Sequence, residues 1–184
     1  MKLVITQNIT LDGVIEAVDN WFGPQDDRGD TSDVTAELQK MMASESALLL
    51  GRVTFEAFRG YWPKQTNDTT GITDHLNRVP KYVLSSSLTE PRWENTKIVA
   101  KAPVEAAREL KAKPGGEVGV TGSITLCHAL IEAGLVDEYR LFVYPVVLGR
   151  GRRLFRDGLR VDGLSLVRSK AFISGITLLS YERR

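Results

Sequence analysis

Short apolar runs alternate along this chain with segments whose apolar positions recur every three or four residues. Residues 2–9 (KLVITQNI) predict a buried strand, and Asp12-Gly13 signals a turn after it. Residues 16–30 are polar, contain Gly and Pro, and carry Trp21 and Phe22. They read as a long loop whose aromatics either form a lid or pin the loop to the core. From Thr31 to Ser44 the period changes to that of a helix. Val34, Leu38, Met41 and Met42 fall on one face, Thr31 or Ser32 can cap the start, and Asp33 sits in the first turn. A buried strand is predicted over 46–50 and a short helix over 54–58. A loop with Tyr61, Trp62 and Pro63 follows over 59–71, then a short helix over 73–78 that stops before Pro80.

Further strands are predicted over 81–85, 97–100 and 117–120, with a helix over 104–111 closed by Pro114-Gly115-Gly116. Thr121-Gly122-Ser123 leads into a helix over 124–133, capped by Gly134. The strand over 138–147 is apolar on both faces. It is either a central strand covered by helices or one that buries against a partner. Residues 164–170 and 175–182 read as an antiparallel pair around Ser174-Gly175. Strands and helices alternate to about residue 135 and the end is β-rich. The pattern predicts one α/β domain over 1–184, with a mostly parallel sheet, helices on both faces and an antiparallel C-terminal edge.

Composition narrows the classes. The 184 residues carry a net charge of +1 from 24 basic and 23 acidic side chains, so a strongly basic nucleic-acid footprint is absent. One cysteine, Cys127, excludes an intramolecular disulfide, and two histidines offer no metal-ligand cluster. No apolar run approaches a membrane span, and the N-terminus lacks the pattern of a signal peptide, so the expectation is a cytoplasmic protein.

Candidate chemistry gathers at three strand ends: Gly51-Arg52-Val53-Thr54, Ser85-Ser86-Ser87 and Thr121-Gly122-Ser123. Ligands of open α/β sheets collect at the carboxyl ends of the strands, and helix N-termini attract phosphate. Hydroxyls, backbone N–H groups and an arginine at three such ends suit a ligand with several phosphates, such as a dinucleotide. Neither the Rossmann glycine fingerprint nor a Walker A loop is present.

The order of these pieces resembles the dihydrofolate reductase superfamily, and within it the reductase domain of the bifunctional riboflavin-biosynthesis deaminase-reductase. The resemblance runs nearly end to end, from Thr10-Leu11-Asp12-Gly13 through Leu50-Gly51-Arg52-Val53-Thr54-Phe55-Glu56 and Val120-Thr121-Gly122-Ser123. Pro145-Val146-Val147-Leu148-Gly149-Arg150-Gly151 continues it. It implies a dihydrofolate-reductase-like three-layer fold and hydride transfer from NADPH to a pyrimidine- or pterin-like small molecule. The relative's reaction reduces a ribosyl group to a ribityl one. By position, the resemblance gives Gly51, Arg52 and Thr54 to the phosphates, and Ser85 and Ser86 to the 2′-phosphate side. Gly122, Ser123, Ile124 and Thr125 then lie under the pyrophosphate, with Asn8 and Ile15 beside the nicotinamide. Asp12, Trp21 and Arg150 are the expected substrate contacts, and a homodimer is implied. Two other readings stay open: reduction of a different heterocycle or carbonyl, and a catalytically silent nucleotide-binding dimer.

Two departures stand out. Thr121 occupies the place of the first of two adjacent glycines in folate reductases. Thr35 lies nearest the place of their pterin-binding carboxylate, which disfavours dihydrofolate itself. Asp33, Glu37 and His75 are the candidate proton donors, although Asp33 also reads as a partner of the helix dipole, and an ordered water can serve instead. Cys127 reads as a small buried thiol and His128 as a half-exposed helix residue. Arg150, Arg152, Arg153 and Arg156 form either a solvated loop or a site for a substrate phosphate.

Overall fold

A computed structural model describes residues 1–22 and 29–184, so the middle of the predicted 16–30 loop lies outside the described residues. The strands are β1 (Lys2–Thr10), β2 (Glu45–Gly51), β3 (Lys81–Leu84), β4 (Thr96–Val99), β5 (Glu117–Val120), β6 (Glu138–Tyr144), β7 (Leu164–Ala171) and β8 (Thr177–Arg183). The α-helices are α1 (Ser32–Ser44), α2 (Arg52–Tyr61), α3 (Ile72–Arg78), α4 (Pro103–Lys111) and α5 (Ile124–Glu132), with a 3-10 turn at Trp62–Lys64. All eight strands join one sheet in the order β4-β3-β2-β5-β1-β6-β8-β7. The first six pair in parallel, and β8 and β7 add an antiparallel edge.

The two faces follow from the period-2 alternation of the strands. Leu3, Ile5 and Ile9 of β1, Leu49 of β2, Val118 and Val120 of β5 and Leu141 of β6 pack under α4 and α5. Leu48 and Leu50 of β2 face the other way, onto Phe55 of α2 and Leu76 of α3. On that same side, Val34 and Met41 of α1 cover Phe142 and Leu178. The result is the expected three-layer, dihydrofolate-reductase-like α/β arrangement.

Several boundaries differ from the sequence reading. The strand expected over 138–147 ends at Tyr144, because Pro145 has no N–H to continue a ladder. It is a central strand between β1 and β8, with Tyr139, Leu141 and Phe142 buried within the chain, so its apolar faces need no partner subunit. The helix expected over 54–58 starts at Arg52 and runs to Tyr61. Thr31 stands at the N-cap of α1, but its side chain makes no capping bond; Asp30 Oδ1 instead accepts from the Ser32 N–H at 2.8 Å. Gly134 does end α5, at φ +63°, with its N–H on the Ile131 carbonyl and the Leu135 N–H on that of Leu130.

The amino end of the sheet is tied by charge. Arg140 lies between Glu117, bonded through two nitrogens at 2.7 and 2.8 Å, and Glu138, at 2.8 and 3.0 Å. Lys2 joins Glu138 and Glu182 at 2.6 Å each, so the network crosses β5, β1, β6 and β8. Paired in this way, buried charges fix the register of neighbouring strands while offsetting their own desolvation.

Lys81, at the start of β3, is 1% exposed. Its ammonium donates to the carbonyls of Leu76 (2.5 Å) and Val79 (3.0 Å) and sits 4.7 Å from the Trp93 ring centroid. Burial pushes its pKa down to about 8. A depressed lysine binds fewer protons in the folded than in the unfolded chain between that value and its ordinary 10.5, so its contribution to stability rises with pH across this window. Burial pushes Cys127 and Tyr139 up to about 12, which acts in the opposite sense at higher pH. The difference in urea unfolding free energy between wild type and Lys81→Met cancels those two groups. It should move in favour of wild type as pH rises from 8 to 10.5; a flat difference would rule out the depressed lysine.

Candidate active site

The chain leaves β2 through α2 toward β3, on one side of the sheet order. It leaves β5 through α5 toward β6, on the other side. β2 and β5 are neighbours, so the connections diverge between them, the position at which open α/β sheets characteristically carry a crevice at the carboxyl ends of the strands. Two helix N-termini border it, one from each face. The first-turn N–H groups of a helix have no intrahelical acceptor, and neither N-terminus here receives a side-chain cap from its own N-cap residue.

The two N-termini are stapled to each other. The Gly51 N–H donates to Ser123 Oγ at 3.0 Å, and the Ser123 N–H donates to Thr54 Oγ1 at 2.8 Å. Gly122 and Ser123 both have positive φ, +56° and +47°, which turns the chain sharply into α5. A side chain at Gly122 would place its Cβ 2.9 Å from the Thr54 methyl, so glycine is required there by contact as well as by conformation. Thr54 and Ser123, expected to hold phosphate directly, therefore first hold the two helices in place. Gly51 is different. A Cβ there would meet only Ser123, at 3.7 Å, an ordinary contact, so the packing of the chain does not itself demand a glycine.

A third element supports the turn from below. Gln7 is 4% exposed. Its Nε2 donates to the Gly122 carbonyl at 2.7 Å and its Oε1 accepts from the Gly122 N–H at 3.2 Å. The same Nε2 lies 3.2 Å from Cys127 Sγ. The sequence reading overlooked Gln7, yet it had a signal: in the buried stripe Leu3, Ile5, Gln7, Ile9 it is the one polar residue.

Around this core the other expected residues sort by exposure and partner. Arg52 is exposed and pairs with Glu56 at 2.8 Å within α2, a surface contact of small worth that a phosphate can replace. Ser85 Oγ accepts from the N–H groups of Ser87 (3.2 Å) and Leu88 (2.9 Å), which makes it a turn former, while Ser86 is exposed. Ile124 is half-buried and Thr125 exposed at the α5 start. The Thr121–Gly122 peptide is trans. Asn8 is half-buried, on the opposite face of β1 from Gln7, and its amide has no partner among the described residues. Ile15 is 5% exposed and packs inside the core with Ile9 and Leu154, so its side chain is closed to a nicotinamide.

The expected substrate contacts and proton donors are held within the chain. Asp12 accepts from Thr10 Oγ1 (2.6 Å), the Leu148 N–H (3.3 Å) and the Gly149 N–H (2.8 Å). The Thr10 hydroxyl and these N–H groups pull its carboxyl down to about 2. Trp21 is 6% exposed, donates to the Glu16 carbonyl at 2.8 Å and meets Phe22 and Tyr144 edge-on. It pins its loop to the end of β6. Arg150 pairs with Asp19 at 2.5 Å, Arg152 with Glu16 at 2.6 Å, Arg156 with Glu132, and Arg153 donates to the Asp12 carbonyl at 2.9 Å. The basic cluster thus clamps the segment after β6 onto the segment after β1 and onto α5, rather than forming an open phosphate site.

Glu37 is fully buried and paired with Arg168 and Lys170 of β7. His75 pairs with Glu45 at 2.7 Å. Glu45 opens β2 six positions before Gly51, which at ~3.3 Å per residue is about 20 Å from the crevice. Asp33 Oδ2 accepts from the Ile173 N–H at 3.0 Å and anchors the β7–β8 turn. His128 is half-buried, as expected, with Nε2 2.8 Å from the Arg153 carbonyl. A concavity of about 290 Å³ lies between α1 and the β6–β8–β7 edge, among Glu37, Glu138, Arg140 and Arg168. Those charges are already paired with one another.

Comparison with known proteins agrees with this fold. Residues 1–178 match the RibD C-terminal domain family. The chain is 30% identical over 186 residues to the uncharacterized protein YyaP of Bacillus subtilis (strain 168), covering 98% of this chain and 94% of that protein. It is 23% identical to the uncharacterized protein YwjB of the same organism, over 96% and 95%. A solved structure from Shewanella sp. PV-4 assigned to riboflavin biosynthesis superposes with a TM-score of 0.73 at 22% identity, over 100% of this chain and 99% of that one. A pyrimidine reductase-like protein of Corynebacterium diphtheriae gives 0.63 at 14%, over 98% and 91%.

The staple has a measurable worth. Thr54→Val keeps the shape of the side chain but leaves the Ser123 N–H without its acceptor, which should lower the unfolding free energy by about 1–3 kcal/mol in urea titrations. An unchanged midpoint would mean that the helices are held by other contacts.

Proposed function

This chain belongs to the RibD C-terminal domain family, and we propose that it is an NADPH-dependent reductase of a small pyrimidine-like substrate. The substrate class is that of 5-amino-6-(5-phosphoribosylamino)uracil. The observation that carries the reading is the pair of stapled helix N-termini at the β2–β5 crevice. Two helix starts that receive no side-chain cap from their own N-cap residues, one from each face, meet there, and Arg52 stands exposed in the first turn of α2.

The residues fit a dinucleotide diphosphate. Backbone N–H groups at the starts of α2 and α5 bind its oxygens, and Arg52 and Ser86 lie exposed for the 2′-phosphate. When bound, the reduced nicotinamide supplies a hydride. The chain's task is to orient the acceptor carbon of the substrate against it and to exclude water. Asn8, with an unengaged amide two strands from Gly51 in the sheet order, is placed to orient that end of the site. Asp33, Glu37 and His75 are all engaged elsewhere, so the proton that balances the hydride comes from water.

We further propose that two copies associate through β7. It is an edge strand of eight residues, and a bulge between Leu166 and Arg168 leaves Leu166 and Val167 more than half exposed side by side. Exposed apolar residues on a long edge strand are normally covered.

NADPH should quench the tryptophan fluorescence and raise the melting temperature; neither change would end the dinucleotide reading. Arg52→Ala should raise the NADPH Kd about tenfold, equivalent to about 1.4 kcal/mol, with a smaller loss for NADH. Equal losses would move Arg52 to the shared pyrophosphate. NADPH oxidation should proceed with the ribosylaminopyrimidine phosphate and not with dihydrofolate. In sedimentation, Val167→Lys should be monomeric at concentrations where wild type is dimeric, and a monomeric wild type would dismiss the β7 contact.

A further inference from the structure

β1 and β5 pair in parallel through Lys2↔Glu117, Leu3↔Val118, Val4↔Gly119 and Ile5↔Val120. Continuing that register sets Gln7 opposite Gly122, but the ladder has already ended because the chain turns away into α5 at positive φ. At this point the side chain of Gln7 takes over from the backbone. A carboxamide carries the same donor and acceptor as a peptide group, and Gln7 uses both on Gly122, as a strand neighbour would. Gln7 is buried and Gly122 half-buried, so the carboxamide would lack a partner without this peptide group.

We propose that Gln7 is a positioning residue for the diphosphate-binding turn. Its carboxamide holds the Gly122 peptide in the one orientation from which α5 starts at the crevice with its first N–H groups facing outward. The proposal rests on the dinucleotide reading for its ligand, though not for its geometry. Three features make Gln7 more than a filler of the core. It bonds both polar groups of a residue whose conformation is left-handed. It leaves Ser123 free to receive Gly51 and to reach Thr54, so the staple between the helices depends on it. It also engages Cys127, one turn inside α5, whose thiol lies 3.4 Å from the Gly122 carbonyl and closes the group from the helix side. Asn8, the next residue, faces the opposite side of the sheet. Residues 7 and 8 therefore serve the two ends of one site: Gln7 beneath the diphosphate turn, Asn8 beside the reacting end.

Two measurements test this on the full chain. Amide hydrogen exchange by NMR reads the geometry without cofactor. In Gln7→Leu, the Gly122 and Ser123 amides should lose protection by tenfold or more while those of β1 and β6 keep theirs; unchanged protection at Gly122 overturns the proposal. Binding reads the consequence. Gln7→Leu should raise the KM for NADPH at least tenfold with kcat within about twofold, whereas a merely structural loss would lower the melting temperature without separating the two. Gln7→Glu adds a pH signature. Protonated, its carboxyl can donate to the Gly122 carbonyl and accept from the N–H; ionised, it can only accept. NADPH should therefore bind this variant more tightly as pH falls, against the wild-type profile, and parallel profiles would count against the role. If wild type itself fails to bind NADPH, the dinucleotide reading falls, and the exchange data still decide whether Gln7 sets the turn.

Discussion

Everything at the carboxyl edge of this sheet depends on two helices starting within hydrogen-bond distance of each other on opposite faces. Two helix N-termini brought together set partial positive charges side by side, an unfavourable arrangement unless something stitches them. Here the stitching is reciprocal: Ser123 accepts from Gly51 and donates to Thr54. Gly122 has no side chain because the Thr54 methyl occupies that space, and Gln7 holds the turn from beneath. Neither helix start receives a side-chain cap from its own N-cap residue.

Charge is used elsewhere mainly as fastening. At the amino end of the sheet Arg140 joins Glu117 and Glu138 and so links strands that are distant in sequence. Near the carboxyl edge Asp12, Glu16 and Asp19 take up Gly149, Arg152 and Arg150, and clamp the long segment after β6 against the turn after β1. The chain is 26% charged with basic and acidic side chains nearly balanced, and many of its ions answer one another. The cluster from Arg150 to Arg156, readable from sequence as either a solvated loop or a phosphate site, likewise meets acidic side chains and a backbone carbonyl. A run of one sign looks unbalanced until the fold brings the opposite run to it.

The fold was largely legible because its signals are local. The buried run over residues 2–9, the helical stripe of Val34, Leu38 and Met41, and the glycine at 134 each act over a few residues, and the structure places them as expected. Boundaries moved where a neighbour decided them: Pro145 ended β6 early, and the packing of Phe55 and Phe58 with Trp62 let α2 run on to Tyr61. Of the candidate site, the glycines at the strand ends were legible as the places where strands hand over to helices, since such sharp turns suit few residue types. The partners of Asp12, Glu37 and His75 were not, because Gly149, Arg168 and Glu45 are brought to them by strand pairing across the sheet.

The sequence by itself determined the alternation of strands and helices, the antiparallel C-terminal edge and the three glycine- or serine-bearing strand ends. Hydrophobic period and turn chemistry are properties of neighbouring residues. Only the tertiary structure decided which polar residues stayed open. β2 and β5 lie side by side with about seventy residues between Gly51 and Gly122, so their hydroxyls meet each other before any ligand. The same proximity gave Gln7, an inconspicuous residue in an apolar stripe, a place beneath the turn. Hydrogen bonds act over about 3 Å in space, and the chain fixes that distance only when its sheet is assembled.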